Sequence, residues 1–138
     1  MAKILVVDDQ PSITWLLNAI LSTEGHVVIT ALGGPEASAL VGVHQPDLVI
    51  TDVKMPILNG FELVRQIRGT FPGMKCIMMS GDADFCDPET LAETRRLQVA
   101  ATLAKPFLMG QLLEVVDQVL SEGASQPTSF PPNSGTIS

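Results

Sequence analysis

The stretch DLVITDVKMPILNG, residues 47–60, decides how this chain folds. Its first five residues, Asp47 to Thr51, read as a β-strand that is apolar on both faces, as a buried parallel strand should be. The strand stops on Asp52, and a loop carrying Pro56 and Gly60 follows. A carboxylate placed there either accepts hydrogen bonds in the Met55-Pro56 turn or is presented for chemistry. What the other strands end in must decide between the two.

Working outward, apolar β-rich runs alternate with helical patterns from residue 3 to residue 122. That order implies a doubly wound α/β fold, a parallel sheet with helices on both faces. The remaining strands are expected at 3–7 (KILVV), 26–31 (HVVITA), 75–80 (KCIMMS) and 101–104 (ATLA). The first helix should start at Pro11 or Ser12 and end at Glu24-Gly25, burying the stripe Ile13, Leu16, Leu17 and Ile20. A second is expected from Pro35 to Val43, and a third from Phe61 to Arg68 with Gly69 as its stop. The fourth begins near Pro88 behind Asp87 as N-cap. The fifth, Leu108 to Ser121, carries Leu112, Leu113, Val116 and Leu120 on one side. Residues 123–138, uncharged and rich in Ser, Pro and Gly, are read as a flexible tail rather than as a linker or a docking peptide around Phe130.

The totals agree with one folded domain, since 138 residues suffice for a single core and not for two. A formal charge of -7, with only eight scattered basic residues, argues against nucleic acid as a partner. No apolar run approaches the roughly 20 residues that a membrane helix needs. The N-terminus turns acidic at Asp8, too soon for a signal peptide, so the expected location is the cytoplasm. Cys76 and Cys86 have neither metal spacing nor a disulfide framework and are expected to be free thiols. His26 and His44 fall at element boundaries and are read as ordinary surface or edge residues.

Ligands of open α/β sheets bind beyond the carboxyl ends of the strands. The first strand ends in Asp8-Asp9, the third in Asp52, the fourth in Ser80 and the fifth in Lys105-Pro106. Helix capping could account for Asp8-Asp9 alone, and a turn for Asp52 alone. Such local roles do not predict acids, a hydroxyl and an ammonium along one edge. Two carboxylates about 4 Å apart repel by roughly 4 kcal/mol at an effective dielectric near 20, so three would raise their pKa values or recruit a cation. Oxygen ligands without His or Cys favour Mg²⁺, shared with a phosphate. Lys105 and Ser80 would then hold phosphoryl oxygens while one carboxylate acts as nucleophile.

These motifs, VVDDQ, TDVKMPILNG, MMSGD and AKPF, resemble in order and spacing the receiver domain of two-component response regulators, of the single-domain, chemotaxis-receiver-like kind. The resemblance covers residues 3 to about 121. It implies a flavodoxin-like sheet in the order 2-1-3-4-5 with five helices, and Asp52 as phosphoacceptor. It makes Asp9 a direct Mg²⁺ ligand, Asp8 a ligand mostly through water, and adds the backbone carbonyl of Lys54. Lys105 becomes the counter-ion of the phosphoryl group and Ser80 the hydroxyl that moves to bond it. The Lys105-Pro106 bond is implied to be cis. The donor would be a histidine kinase or a histidine phosphotransfer protein. The output would be contact with a downstream protein through the fourth helix, fifth strand and fifth helix, with no classical enzyme activity beyond self-catalysed phosphotransfer and slow autodephosphorylation.

One departure is informative. Three residues before the lysine, where many receivers carry a switch aromatic, this chain has Thr102. Activation is therefore expected to reposition the loop from Gly81 to Asp87 and the fourth helix rather than a ring. The acids Asp82, Asp84 and Asp87 in that loop are read as solvated, with Asp87 capping. Trp15 lies about 160° from the apolar stripe of the first helix at about 100° per residue. With Ile13 in the same first turns, it is expected either to contact a phosphodonor, as the resemblance implies for the first helix, or to pack on a neighbouring element or the tail. Two other readings compete: a receiver cut from a longer regulator with an output domain, and a metal-dependent α/β phosphohydrolase. The second fits poorly, because DDQPS replaces a glycine-rich phosphate cradle and Lys54, not an acid, stands two residues after Asp52.

Overall fold

A computed structural model of the chain describes residues 2–81 and 87–124. The elements alternate strictly: β1 (Lys3–Val7), α1 (Pro11–Thr23), β2 (Val27–Ala31), α2 (Gly34–His44), β3 (Leu48–Asp52), α3 (Gly60–Thr70), β4 (Lys75–Gly81), α4 (Pro88–Arg96), β5 (Ala101–Lys105) and α5 (Met109–Ala124). The strands form one parallel sheet in the order β2-β1-β3-β4-β5. This is the expected flavodoxin-like topology. Acidic stretch 82–86, with Asp82, Asp84 and Cys86, lies outside the described residues, as does 125–138 with Phe130.

Each face of the sheet carries its own core. Leu5, Val7, Val49, Cys76 and Met78 point toward α2 and α3, where Ala37, Val41, Leu63 and Ile67 close over them. The alternate residues Ile4, Val6, Ile50, Ile77 and Met79 meet Leu17 and Leu21 of α1 and Leu112, Val116 and Val119 of α5. β3 is buried along its whole length, which explains why it reads as an unbroken apolar run.

Two helix ends and one buried face differ from expectation. α3 runs through Gly69 to Thr70 and stops at Phe71, because Phe71 precedes Pro72 and is driven out of the helical region. α5 extends to Ala124, past Ser121 and into the segment read as tail. In α1 the buried positions are Thr14, Leu17 and Leu21, while Leu16 is 42% exposed. Thr14 can take a core-side place because its hydroxyl donates to the Pro11 carbonyl at 3.0 Å.

Arg68, near the end of α3, ties two parts of the fold together. Its guanidinium donates to the carbonyls of Leu97 at 2.9 Å and Gln98 at 3.1 Å, just past α4, and to that of Met74 before β4. Arg65, one turn earlier, pairs with Glu93 of α4 at 2.7 Å.

Candidate functional site

Register places the acids side by side. Val7 pairs with Thr51, so Asp8 leaves β1 level with Asp52 at the end of β3, both on the α1/α5 side of the sheet. Asp52 pairs with Met79 and Lys105 with Gly81, so Lys105 sits two steps farther along and points to the same side. The result is a single cluster. One oxygen from each of Asp8, Asp9 and Asp52 lies within 4.8 Å of the others. Asp8 is fully buried, Asp52 is 7% exposed, and Asp9 is exposed.

Lys105 closes the cluster from β5. Its ammonium donates to Asp8 Oδ2 at 2.8 Å and stands 3.4 Å from Asp52 Oδ2. At an effective dielectric of about 20 these gross attractions are about 6 and 5 kcal/mol. Asp8 Oδ1 also accepts the Gln10 amide at 3.0 Å, which turns the chain into α1. With three ionised carboxylates and one ammonium the cluster carries a net charge of -2. That excess charge in a recess, offered by oxygen ligands alone, fits a hard divalent cation.

The protonation equilibria carry the same signature. Burial raises the Asp52 carboxyl above its ordinary value, and the charge of Asp8 raises it further, against the opposing pull of Lys105. Burial alone would lower Lys105, but its hydrogen bond to Asp8 and the charges of Asp8 and Asp52 outweigh this and hold it above the ordinary lysine value. The Cys76 thiol is pushed up to about 11 by burial, despite Arg68 nearby, so it is inert.

The loop after Asp52 is closed tightly. The Val53 amide donates to Met79 O at 2.9 Å, and the Gly60 amide returns to Val53 O at 2.8 Å. A Cβ on Gly60 would fall well inside 3.0 Å of the Asp52 carbonyl oxygen and would meet Met78 Cε and Val53 Cα at 3.0 Å. Asn59 and Glu62 form a reciprocal capping box that starts α3. Within the loop, the Leu58 amide donates to Pro56 O at 2.8 Å around Ile57, whose φ is +72°.

Other sequence-predicted residues are placed as follows. Ser80 is 2% exposed at the end of β4, opposite Ala104. Lys54 is exposed two residues past Asp52, and Thr102 is exposed on β5, where no ring is available to swing inward. The Lys105-Pro106 bond is cis. Trp15 is 71% exposed on α1, as its angle from the stripe requires. Ile13 is half-buried, with part of its side chain packed against the α1/α5 core. Asp87 caps α4, accepting from the Thr90 amide at 3.0 Å. The direct Lys105–Asp8 pair was not foreseen, since a contact across 97 residues leaves no local signal.

Comparison with known proteins agrees with this geometry. A family model described as "Response regulator receiver domain" matches residues 4–117. The chain belongs to the receiver domain family of response regulators. This receiver domain is 30% identical to sporulation initiation phosphotransferase F of Bacillus subtilis (strain 168), covering 86% of the chain and 93% of that protein. It is 32% identical to the transcriptional regulatory protein GlrR of Escherichia coli (strain K12), over 89% of the chain but only 27% of that longer protein. Among solved structures, a CheY-like receiver domain protein from Methanospirillum hungatei JF-1 superposes with a TM-score of 0.83 at 31% identity, covering 89% of this chain and 96% of that one. The chemotaxis protein CheY4 of Vibrio cholerae superposes with a TM-score of 0.79 at 33% identity, covering 86% and 98%. The receiver domain is a module of two-component signalling, and receivers of this family work with histidine kinases, phosphotransfer proteins and downstream targets. Among the described residues no helix is long and apolar enough to cross a membrane.

Proposed function

We propose that Asp52 is the phosphoacceptor of this receiver domain. The observation that carries the reading is Lys105, whose ammonium reaches both Asp8 and Asp52 at the carboxyl edge of the sheet. An Asp52 oxygen attacks the phosphorus of a phosphohistidine, forming an O–P bond as the N–P bond breaks and the imidazole leaves with the electron pair. Lys105, already beside Asp52, takes up the charge on the phosphoryl oxygens, and the Ser80 hydroxyl donates to one of them. Asp8, Asp9, Asp52 and the Lys54 carbonyl would hold Mg²⁺, which supplies the positive charge that lets an anionic phosphoryl group approach three carboxylates. The chain acts as a switch and not as a classical enzyme, loading itself and losing the phosphoryl group slowly to water.

The donor is a histidine kinase or a histidine phosphotransfer protein, met at the edge where Trp15 is exposed. The signal passes to a cytoplasmic protein through α4, β5 and α5, within a receiver unit spanning residues 1–122. Thr102 leaves that surface without a ring switch, so loop 81–87 and α4 carry the change. The test is intact mass after incubation with Mg²⁺ and acetyl phosphate. Wild type should gain one phosphoryl group and Asp52→Asn none; an equal adduct on both would refute the assignment.

A further inference from the structure

The connection from Asp52 to α3 is anchored on both sides of its tip and bare at the tip itself. Met55 is buried in the core beneath it. Leu58 lies so close to Gly34 that a Cβ there would run into its backbone. Asn59 and Gly60 are fixed by the capping box and by the bond to Val53. Between these anchors Ile57 is 90% exposed, more than any other large apolar residue described. It sits at φ +72° in the centre of a three-residue turn closed by Leu58 onto Pro56. This is the rare, strained form of the γ-turn, and a β-branched side chain is the type least suited to it. Glycine or asparagine would sit there readily. The fold keeps an isoleucine where neither its backbone nor its exposure to water favours it, on the loop that begins at Asp52. Strain retained beside a reactive carboxylate points to a contact made with another molecule.

We infer that Ile57 is a docking and specificity residue for the protein that donates the phosphoryl group. Its side chain fills an apolar depression beside the donor's phosphohistidine. The inference rests on Asp52 as phosphoacceptor. The occupant follows from the reaction: a phosphorus atom carried on a protein side chain reaches Asp52 only when its carrier covers the carboxyl edge of the sheet, and this loop is part of that edge. Trp15, in the second turn of α1 after β1, and Leu108 and Met109, where the chain enters α5 after β5, are 71%, 73% and 59% exposed. A small phosphodonor needs none of this rim, whereas a protein donor must lie across it.

The experiment uses the full chain as wild type, Ile57→Asn and Ile57→Gly, with Mg²⁺ and two phosphodonors. One is acetyl phosphate; the other is whichever autophosphorylated histidine kinase of the source organism labels wild type fastest. Both variants should unfold at a higher urea midpoint and take phosphate from acetyl phosphate at the wild-type rate. Each should lose tenfold or more in kcat/KM for transfer from the kinase, while Ile57→Val retains most of it. Kinase transfer to both variants at the wild-type rate would overturn the inference and leave Asp52 untouched as acceptor. An unfolding midpoint that fails to rise would overturn it as well, by removing the strain. Failure of acetyl phosphate to label wild type would refute the acceptor assignment instead.

Discussion

Replacing Gly60 by alanine tests how α3 is seated on the phosphoacceptor. Gly60 has no positive φ, so alanine is allowed by the backbone, and the whole effect must come from space. The added Cβ falls well inside 3.0 Å of the Asp52 carbonyl oxygen, a backbone atom of a fully buried strand, and touches Met78 and Val53 at 3.0 Å. No flexible side chain can yield alone, so the start of α3 must move away from β3. Overpacking of this kind costs about 1–3 kcal/mol. The better helix propensity of alanine returns about 0.5–1 kcal/mol at most, leaving a net loss of about 1 kcal/mol. At a urea m-value of about 2 kcal/mol/M the unfolding midpoint should fall by about 0.5 M. Because the displaced contact is to Asp52 itself, labelling by acetyl phosphate should slow at least tenfold, as misplacement of about 1 Å can cost roughly 100-fold. Gly69→Ala is the control, since a Cβ there meets nothing within 4 Å inside the same helix. It should raise the midpoint. If Gly60→Ala leaves the midpoint and labelling rate unchanged, the seating argument is wrong.

Two further outcomes concern the charge cluster. Lys105→Met leaves the fully buried Asp8 without its ion pair and should destabilise by about 3 kcal/mol at pH 7. Because the folded Lys105 titrates above its ordinary 10.5, its contribution is complete below that value and is lost as pH rises through the folded value. The gap between wild type and variant, read by urea denaturation, should therefore close in strong base. Asp52→Asn should raise metal-free stability at pH 7, because burial and Asp8 both oppose the ionised carboxylate. A raised acid destabilises fully above its folded value and less as pH falls toward 3.8, so the gain should shrink near pH 4. A variant no more stable than wild type at pH 7 would contradict this balance.

Much of the site was legible because strand ends are. The period of the apolar runs stopped β1 at Val7 and β5 within one residue of Lys105, and that alone put acids and ammonium on one edge. What joins them was not legible. The Lys105–Asp8 pair depends on sheet order and on which face each residue takes, and both emerge only when the strands pair. Gly69 was misread as a stop because a mid-helix glycine and a terminal one look alike in sequence; the later Pro72 is what ends α3. Ile57 was invisible for the opposite reason, since nothing in an isoleucine announces a left-handed turn.

The guanidinium of Arg68 makes α4 a lever with one fixed end. Hydrogen bonds from a charged group contribute about 1.5–3 kcal/mol each, and Arg68 makes two to the carbonyls just beyond the C-terminus of α4, with Glu93 held by Arg65 as well. The opposite end starts at the Asp87 cap, a bond within the helix's own first turn. A force applied at that N-terminal end acts at the greatest distance from Arg68. A small displacement there turns the helix about Arg68, so its exposed side chains sweep through distances that grow with their separation from that pivot.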